Sequence, residues 1–348
     1  MMPEEWPIAA FAADGNTPAR FAGRGRLATV RRDFFLDPAK RLTEQERALM
    51  TAMLHCLVGD VAAALRAALP NGRLAANDES DTALIEELSA SGLLDNGELM
   101  GLLLRRADEE RIASAARARS GRREARVLQG LVSHDYGAVA AAAMALILGR
   151  GRRRDRFGQC LIAFDDLSPS AADALVHTVA AGLRRELAAA RGAPGADLEL
   201  AEASGQVLDH RDEERGIDAL TASLVHFLDE AGSLTDELVL AAATEGEITF
   251  VAEVLARRAA LPSDAVLDEL LSGHAKHVMA LLRAAAGSRE LAAGLLAGIG
   301  DLLGIEDAGA AIASFDVMTD AEVLAAKAWL VTAPSYRSAL ERLGQGRG

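Results

Sequence analysis

Five arginines, Arg150, Arg152, Arg153, Arg154 and Arg156, stand within seven positions and are interleaved with Gly149, Gly151 and Gly158. Guanidinium groups grip phosphates and carboxylates in bidentate fashion. Nearby glycines let backbone N–H groups approach the same ligand. Arg152-Arg153-Arg154-Asp155 also has the R-x-x-D spacing with which some proteins hold cyclic dinucleotides, though chance produces this short pattern often. Arg122, Arg123 and Arg126 precede a helix that leads into the same region and extend the candidate patch. Three plainer readings compete with a binding site. The run is a solvated charge cluster, or it pairs with acids of its own chain such as Asp165 and Asp166, or it docks on the acidic second half.

Charge is unevenly spread along the chain. Residues 101–156 hold 13 arginines against 6 acids, whereas residues 196–348 hold 11 basic and 26 acidic side chains. The formal net charge is −14, which excludes a surface devoted to nucleic acid, and the arginine run lacks the interleaved aromatics of a single-strand platform. Lysine occurs only at Lys40, Lys276 and Lys327, so the basic patch favours directed pairing over diffuse attraction.

Other chemistry-bearing residues point to no reaction. A nucleophile elbow, a P-loop, a G-x-G-x-x-G turn and an H-E-x-x-H helix are all missing. His274 and His277 share a helix face but have no third ligand at helical spacing, and Cys56 and Cys160 are too far apart in sequence to suggest a zinc site or a disulfide framework. Asp212-Glu213-Glu214 and Asp229-Glu230 read as solvated helix-end acids rather than an acid–base pair. Gly298-Ile299-Gly300 falls inside a helical pattern, where it permits close packing. No catalytic residue, metal ligand or cofactor is implied.

The elements that must carry these residues are helices. Half of the 348 residues are hydrophobic, aromatics make up only 4%, and alanine and leucine dominate. Tyr136 to Leu148 is apolar on every face and predicts a rod sheathed by its neighbours, broken at Gly149 and Gly151. Thr43 and Glu46 form a capping box ahead of Leu49, Met53, Leu57, Val61, Leu65 and Leu69. Further helices are expected at about 82–90, 96–106, 109–119 and 127–132. Ser168-Pro169 opens one running to about Ala190.

Gly192-Ala193-Pro194-Gly195 reads as a linker. Beyond it, helices are expected at 213–230, 236–244, 247–260, 264–271, 274–286 and 289–303. A second capping box at Thr319 opens a helix to Val331, and a final turn covers 335–343. The organisation is an arm at 1–41, a helical subdomain at 42–191 and an acidic helical subdomain at 192–348. The N-terminus lacks the pattern of a signal peptide, and the apolar runs at 137–148 and 291–300 are too short to cross a bilayer.

Arg32-Asp33-Phe34-Phe35-Leu36-Asp37, Leu42-Thr43-Glu44-Gln45-Glu46-Arg47, Leu131-Val132-Ser133-His134-Asp135 and Met144 to Phe157 together resemble an alphaproteobacterial family catalogued as a domain of unknown function. The likeness runs from about residue 30 onward. It implies an all-helical fold of HEAT-like pairs in a bacterial cytoplasm, and it brings no catalytic residues. The resulting expectation is an all-α, non-catalytic regulatory or scaffolding protein. It binds a protein partner through a helical groove, with Arg150, Arg152, Arg153, Arg154 and Arg156, joined by Arg122, Arg123 and Arg126, in the contact. The alternatives are a sensor for a phosphorylated small molecule and an enzyme whose site no motif betrays.

Overall fold

The computed structural model describes residues 43–70, 84–85, 87–88, 92–120 and 126–343. The expected N-terminal arm, Arg122 and Arg123 lie outside the described residues. The chain divides into two units, Met1–Arg47 and Ala48–Gly348; the second carries all that follows except the start of the first helix.

The described residues are helical, as the composition requires. The helices are α1 (Glu44–Ala68), α2 (Gly97–Ser120), α3 (Arg126–Leu131), α4 (Gly137–Arg152), α5 (Pro169–Arg191), α6 (Ala193–Asp209), α7 (Ile217–Glu230) and α8 (Asp236–Thr244). They continue as α9 (Ile248–Ala259), α10 (Ser263–Leu271), α11 (Ala275–Ala284), α12 (Arg289–Ile299), α13 (Ala308–Val317), α14 (Asp320–Leu330) and α15 (Pro334–Arg342). No strand occurs among the described residues; Arg154 and Cys160 form an isolated antiparallel bridge.

Local side chains start several of these helices. Thr43 Oγ1 accepts from the Glu46 N–H at 3.1 Å while the Glu46 carboxylate accepts from the Thr43 N–H at 2.7 Å, the reciprocal box read from the sequence. Ser168 caps α5 through the Ala171 N–H at 3.2 Å, with Pro169 at its first position. Thr319 and Glu322 repeat the box at α14.

Successive contacts arrange the helices in two rows. One runs α4, α7, α9, α11, α14, and the other α3, α8, α12, α13. Nearly every face of α9 is enclosed: Ile248, Phe250, Val251, Ala252, Val254, Leu255, Ala256 and Ala259 are all buried against a core that extends from Ile112 to Leu330. Helices α2, α7, α8, α10 and α11 all touch it.

The centre therefore differs from the one the apolar run predicts. Helix α4 packs on α3 and α7 but leaves Met144 and Leu148 43% and 55% exposed. Its apolar character comes largely from alanine. Each buried methyl contributes under ~1 kcal/mol, so an alanine face exerts little pull to be covered. Nor does Gly149 break the helix, which runs on to Arg152. Gly149 instead faces α7: a Cβ there would stand 2.6 Å from Leu220 Cδ1, so the glycine is what lets the two helices approach.

Three further expectations change. The hairpin at 96–119 is one continuous helix, α2, because Ala107-Asp108 contains no breaker and Arg106–Glu109 and Asp108–Arg111 pairs span the supposed turn. The linker at 192–195 is a one-residue turn at Gly192 between α5 and α6, which pack along each other and are tied by Arg184–Asp197 at 2.5 Å within the same unit. Helix α13, capped by Asp307 through the Ala310 N–H, lies between the helices expected at 289–303 and from Thr319, where the sequence predicts no element.

Among the described residues, α1 is the helix with the length and apolarity of a bilayer span. Its ridge of Met53, Leu57, Val58, Val61 and Leu65 is buried here, as in a core helix.

Candidate functional site

The arginine run begins on the last turn of α4 and continues into a tight loop. Leu161 N–H donates to Arg153 O at 2.9 Å and Asp155 N–H to Gln159 O at 3.0 Å, so residues 153–161 fold back on themselves. Asp155 makes the turn: its Oδ1 accepts from the N–H groups of Phe157 and Gln159 at 2.8 and 2.7 Å. The carboxylate of the R-x-x-D pattern is thus spent on the loop itself.

The five arginines then part. Arg153 is buried and turns inward. Its Nε and Nη2 donate to the two oxygens of Asp166, each at 2.7 Å, while Nη1 and Nη2 also reach the carbonyls of Gly149 and Arg215. Arg154 donates to Glu110 on α2 at 2.6 Å, and Arg117 holds the other Glu110 oxygen at 2.8 Å. Arg150 donates to Glu247 at the start of α9. Arg150, Arg153 and Arg154 are therefore not the outward-facing set the sequence suggests. The two intramolecular readings hold instead: Asp166 belongs to the chain's own loop, as anticipated, and Glu247 to its acidic half.

Around these pairs lies a cleft of about 230 Å³ between α2, the end of α4, the 153–161 loop and the start of α9. Arg106, Arg117, Arg150 and Arg154 alternate along it with Glu109, Glu110 and Glu247. Burial pushes the Glu110 carboxyl up, yet the hydrogen bond and charge of Arg154, with Arg117 and Ser114, outweigh it and hold the group below the ordinary carboxylate range. An incoming anion would have to displace a carboxylate already in place. Cys160 also lines the cleft, and burial pushes its thiol up to about 11, against the smaller pull of Arg154. It stays protonated near neutrality and is a poor nucleophile.

His277 pairs with Glu269 at 3.2 Å, a carboxylate from α10 that helical spacing could not reveal. Even so, no group of three potential metal ligands forms among the described residues.

Arg152 and Arg156 face outward. Arg152 is exposed and makes no ion pair among the described residues. Arg156 lies over the ring of Phe157, 4.7 Å from its centroid, and Phe157 itself is 81% exposed at the tip of the loop. Arg126, at the start of α3, is exposed as well. Along α4, the open residues Ala141, Met144, Leu148 and Arg152 recur every three or four positions and form one stripe, with Tyr136 exposed before the helix. Sequence periodicity missed Met144 and Leu148 as surface residues because the opposite face of α4 is equally apolar. Phe157 carried a readable signal: an aromatic flanked by arginine and glycine in a loop has no apolar neighbour to bury it.

A protein-family model described as "Uncharacterised protein conserved in bacteria (DUF2336)" matches residues 85–326. The chain belongs to that family. The DUF2336 match takes in α2, α4, the arginine loop and α9, so the cleft and the open stripe lie wholly within it. No curated protein and no solved structure matches the chain.

Proposed function

We propose that this DUF2336 protein is a non-catalytic regulatory or scaffolding protein of the bacterial cytoplasm, built of stacked HEAT-like pairs, and that it binds a protein partner on the open side of α4. One observation carries this reading. A continuous apolar stripe, Ala141, Met144 and Leu148, ends at the unpaired Arg152 beside the Arg156–Phe157 tip. An exposed apolar band closed at one end by cations suits an amphipathic helix that carries aliphatic side chains and, past one end, acidic ones. Phe157 and Arg156 are the residue types that dominate such contacts. The paired arginines of the cleft serve as the frame that aims this surface, since they fix the end of α4 and the loop against α2 and α9.

The test uses Leu148→Asp and Phe157→Ala, with Leu198→Asp as control, because Leu198 is 75% exposed on α6. Partners captured from a bacterial lysate by the wild type are to be purified and titrated against each variant. Both site variants are expected to weaken binding by roughly 10- to 100-fold and the control to leave it unchanged. Equal binding by Leu148→Asp and wild type would overturn the reading.

A further inference from the structure

The row of helices that begins at α4 ends at α14, and the outer face of α14 is also uncovered. Ala326 and Leu330 are buried toward α11. On the other side Ala321, Leu324, Ala325, Ala328 and Val331 are all exposed, Leu324 by 66% and Val331 by 59%. Spacings of three, four and seven place these five on one stripe. A stack of helices closed off against water ends in a polar outer face; this one does not.

The relief and the charges of the stripe say what covers it. Leu324 is the large side chain on it, and the small side chains of Ala321, Ala325 and Ala328 beside it leave room for a partner's large one. A face that holds both a large side chain and room for one complements a copy of itself turned through a two-fold axis. Asp320 and Lys327 lie on the same flank of the stripe, two helical turns apart and on either side of Leu324. Asp320 is 96% exposed, with Arg283 at 3.8 Å, and Lys327 makes no ion pair among the described residues. In an antiparallel pair of helices like flanks face each other. Rotation about an axis beside Leu324 then sets Asp320 against Lys327 of the second copy, and Lys327 against its Asp320.

We propose that α14 is a self-association surface and that two copies of this chain pair through it, antiparallel, with reciprocal Asp320–Lys327 contacts. The contact is one helix wide, so the dimer is weak and reversible. It lies apart from the α4 stripe, and each copy keeps its own partner surface.

Sedimentation equilibrium of the full chain tests this. The wild type is expected to be a monomer–dimer mixture in the micromolar range, and Leu324→Glu a monomer with unchanged helical circular dichroism. Asp320→Lys and Lys327→Asp, each alone, set like charges opposite one another and raise the dissociation constant roughly tenfold. Mixed in equal amounts, these two variants regain both attractions and form a heterodimer tighter than either homodimer. A wild type that stays monomeric at high concentration overturns the proposal. So does a Leu324→Glu variant that still dimerises, or a mixture no tighter than its components. Leu324→Glu is expected to retain partner capture and Leu148→Asp to retain dimerisation, so failure of this inference and failure of the α4 reading are separate results.

Discussion

The Asp166 carboxylate accepts four hydrogen bonds, two from the Arg153 guanidinium and one each from the N–H groups of Ala163 and Ile217. Its side chain is 1% exposed. In that setting the acid and the arginine are each other's solvation. Removing one charge leaves the other buried without compensation, which costs about 3–5 kcal/mol. Asp166→Asn should lose that much in denaturant unfolding while Asp155→Asn, in the exposed loop, loses under about 1 kcal/mol. A loss below about 1 kcal/mol for Asp166→Asn would show that water reaches Arg153. That Arg153 pairs here was readable in outline, since Asp165 and Asp166 stand within reach along the chain. The choice of Asp166 depended on the 3-10 turn at Phe164–Asp166, which orients its carboxylate.

At the level of the helices, α9 and α11 end alike, close to where the sequence places their ends, yet in neither is the left-handed residue a glycine. Ala260 and Ala286 both adopt left-handed backbone with φ of 53°. The next N–H groups, of Leu261 and Gly287, reach back to Ala256 and Leu282 at 3.0 and 2.9 Å, the six-to-one bond of a Schellman end. Alanine is strained in that conformation and glycine is not. Ala260→Gly and Ala286→Gly should therefore each stabilise the protein by roughly 0.5–1 kcal/mol, seen as a higher melting temperature in calorimetry. Destabilisation would mean that the alanine methyl groups contribute more in the core than the turns cost. Helix starts were legible because capping is chemistry between residues three apart, as at Thr43, Ser168 and Thr319. Helix neighbours were not. The apolar run of α4 and the mixed sequence of α9 exchange places between rim and centre, because enclosure is decided by segments far away in the chain.

For the molecule as a whole, the uneven charge of the sequence becomes internal joinery. Basic α2 and the arginine loop are tied to the acidic half by Arg106–Asp218, Arg119–Asp301 and Arg150–Glu247, and to each other by Arg154–Glu110. Acid should undo part of this. The folded Glu110 carboxyl is held below its ordinary value, so its contribution is complete above about pH 5 and is lost as pH falls through the lowered value. Melting temperature should accordingly drop on acidification below about pH 4, and Glu110→Gln should melt lower than wild type at pH 7 but converge with it in acid. Parallel curves at every pH would assign the effect to packing. A single missing methyl group gauges the width of this joint. Gly246, at φ 78°, brings the turn before α9 so near α2 that a Cβ would lie 2.6 Å from the Ala113 Cα. Any side chain there would act as a shim, lifting α2 off its seat and stretching every ionic rivet along the seam together, so one position sets the tolerance to which the two halves are machined.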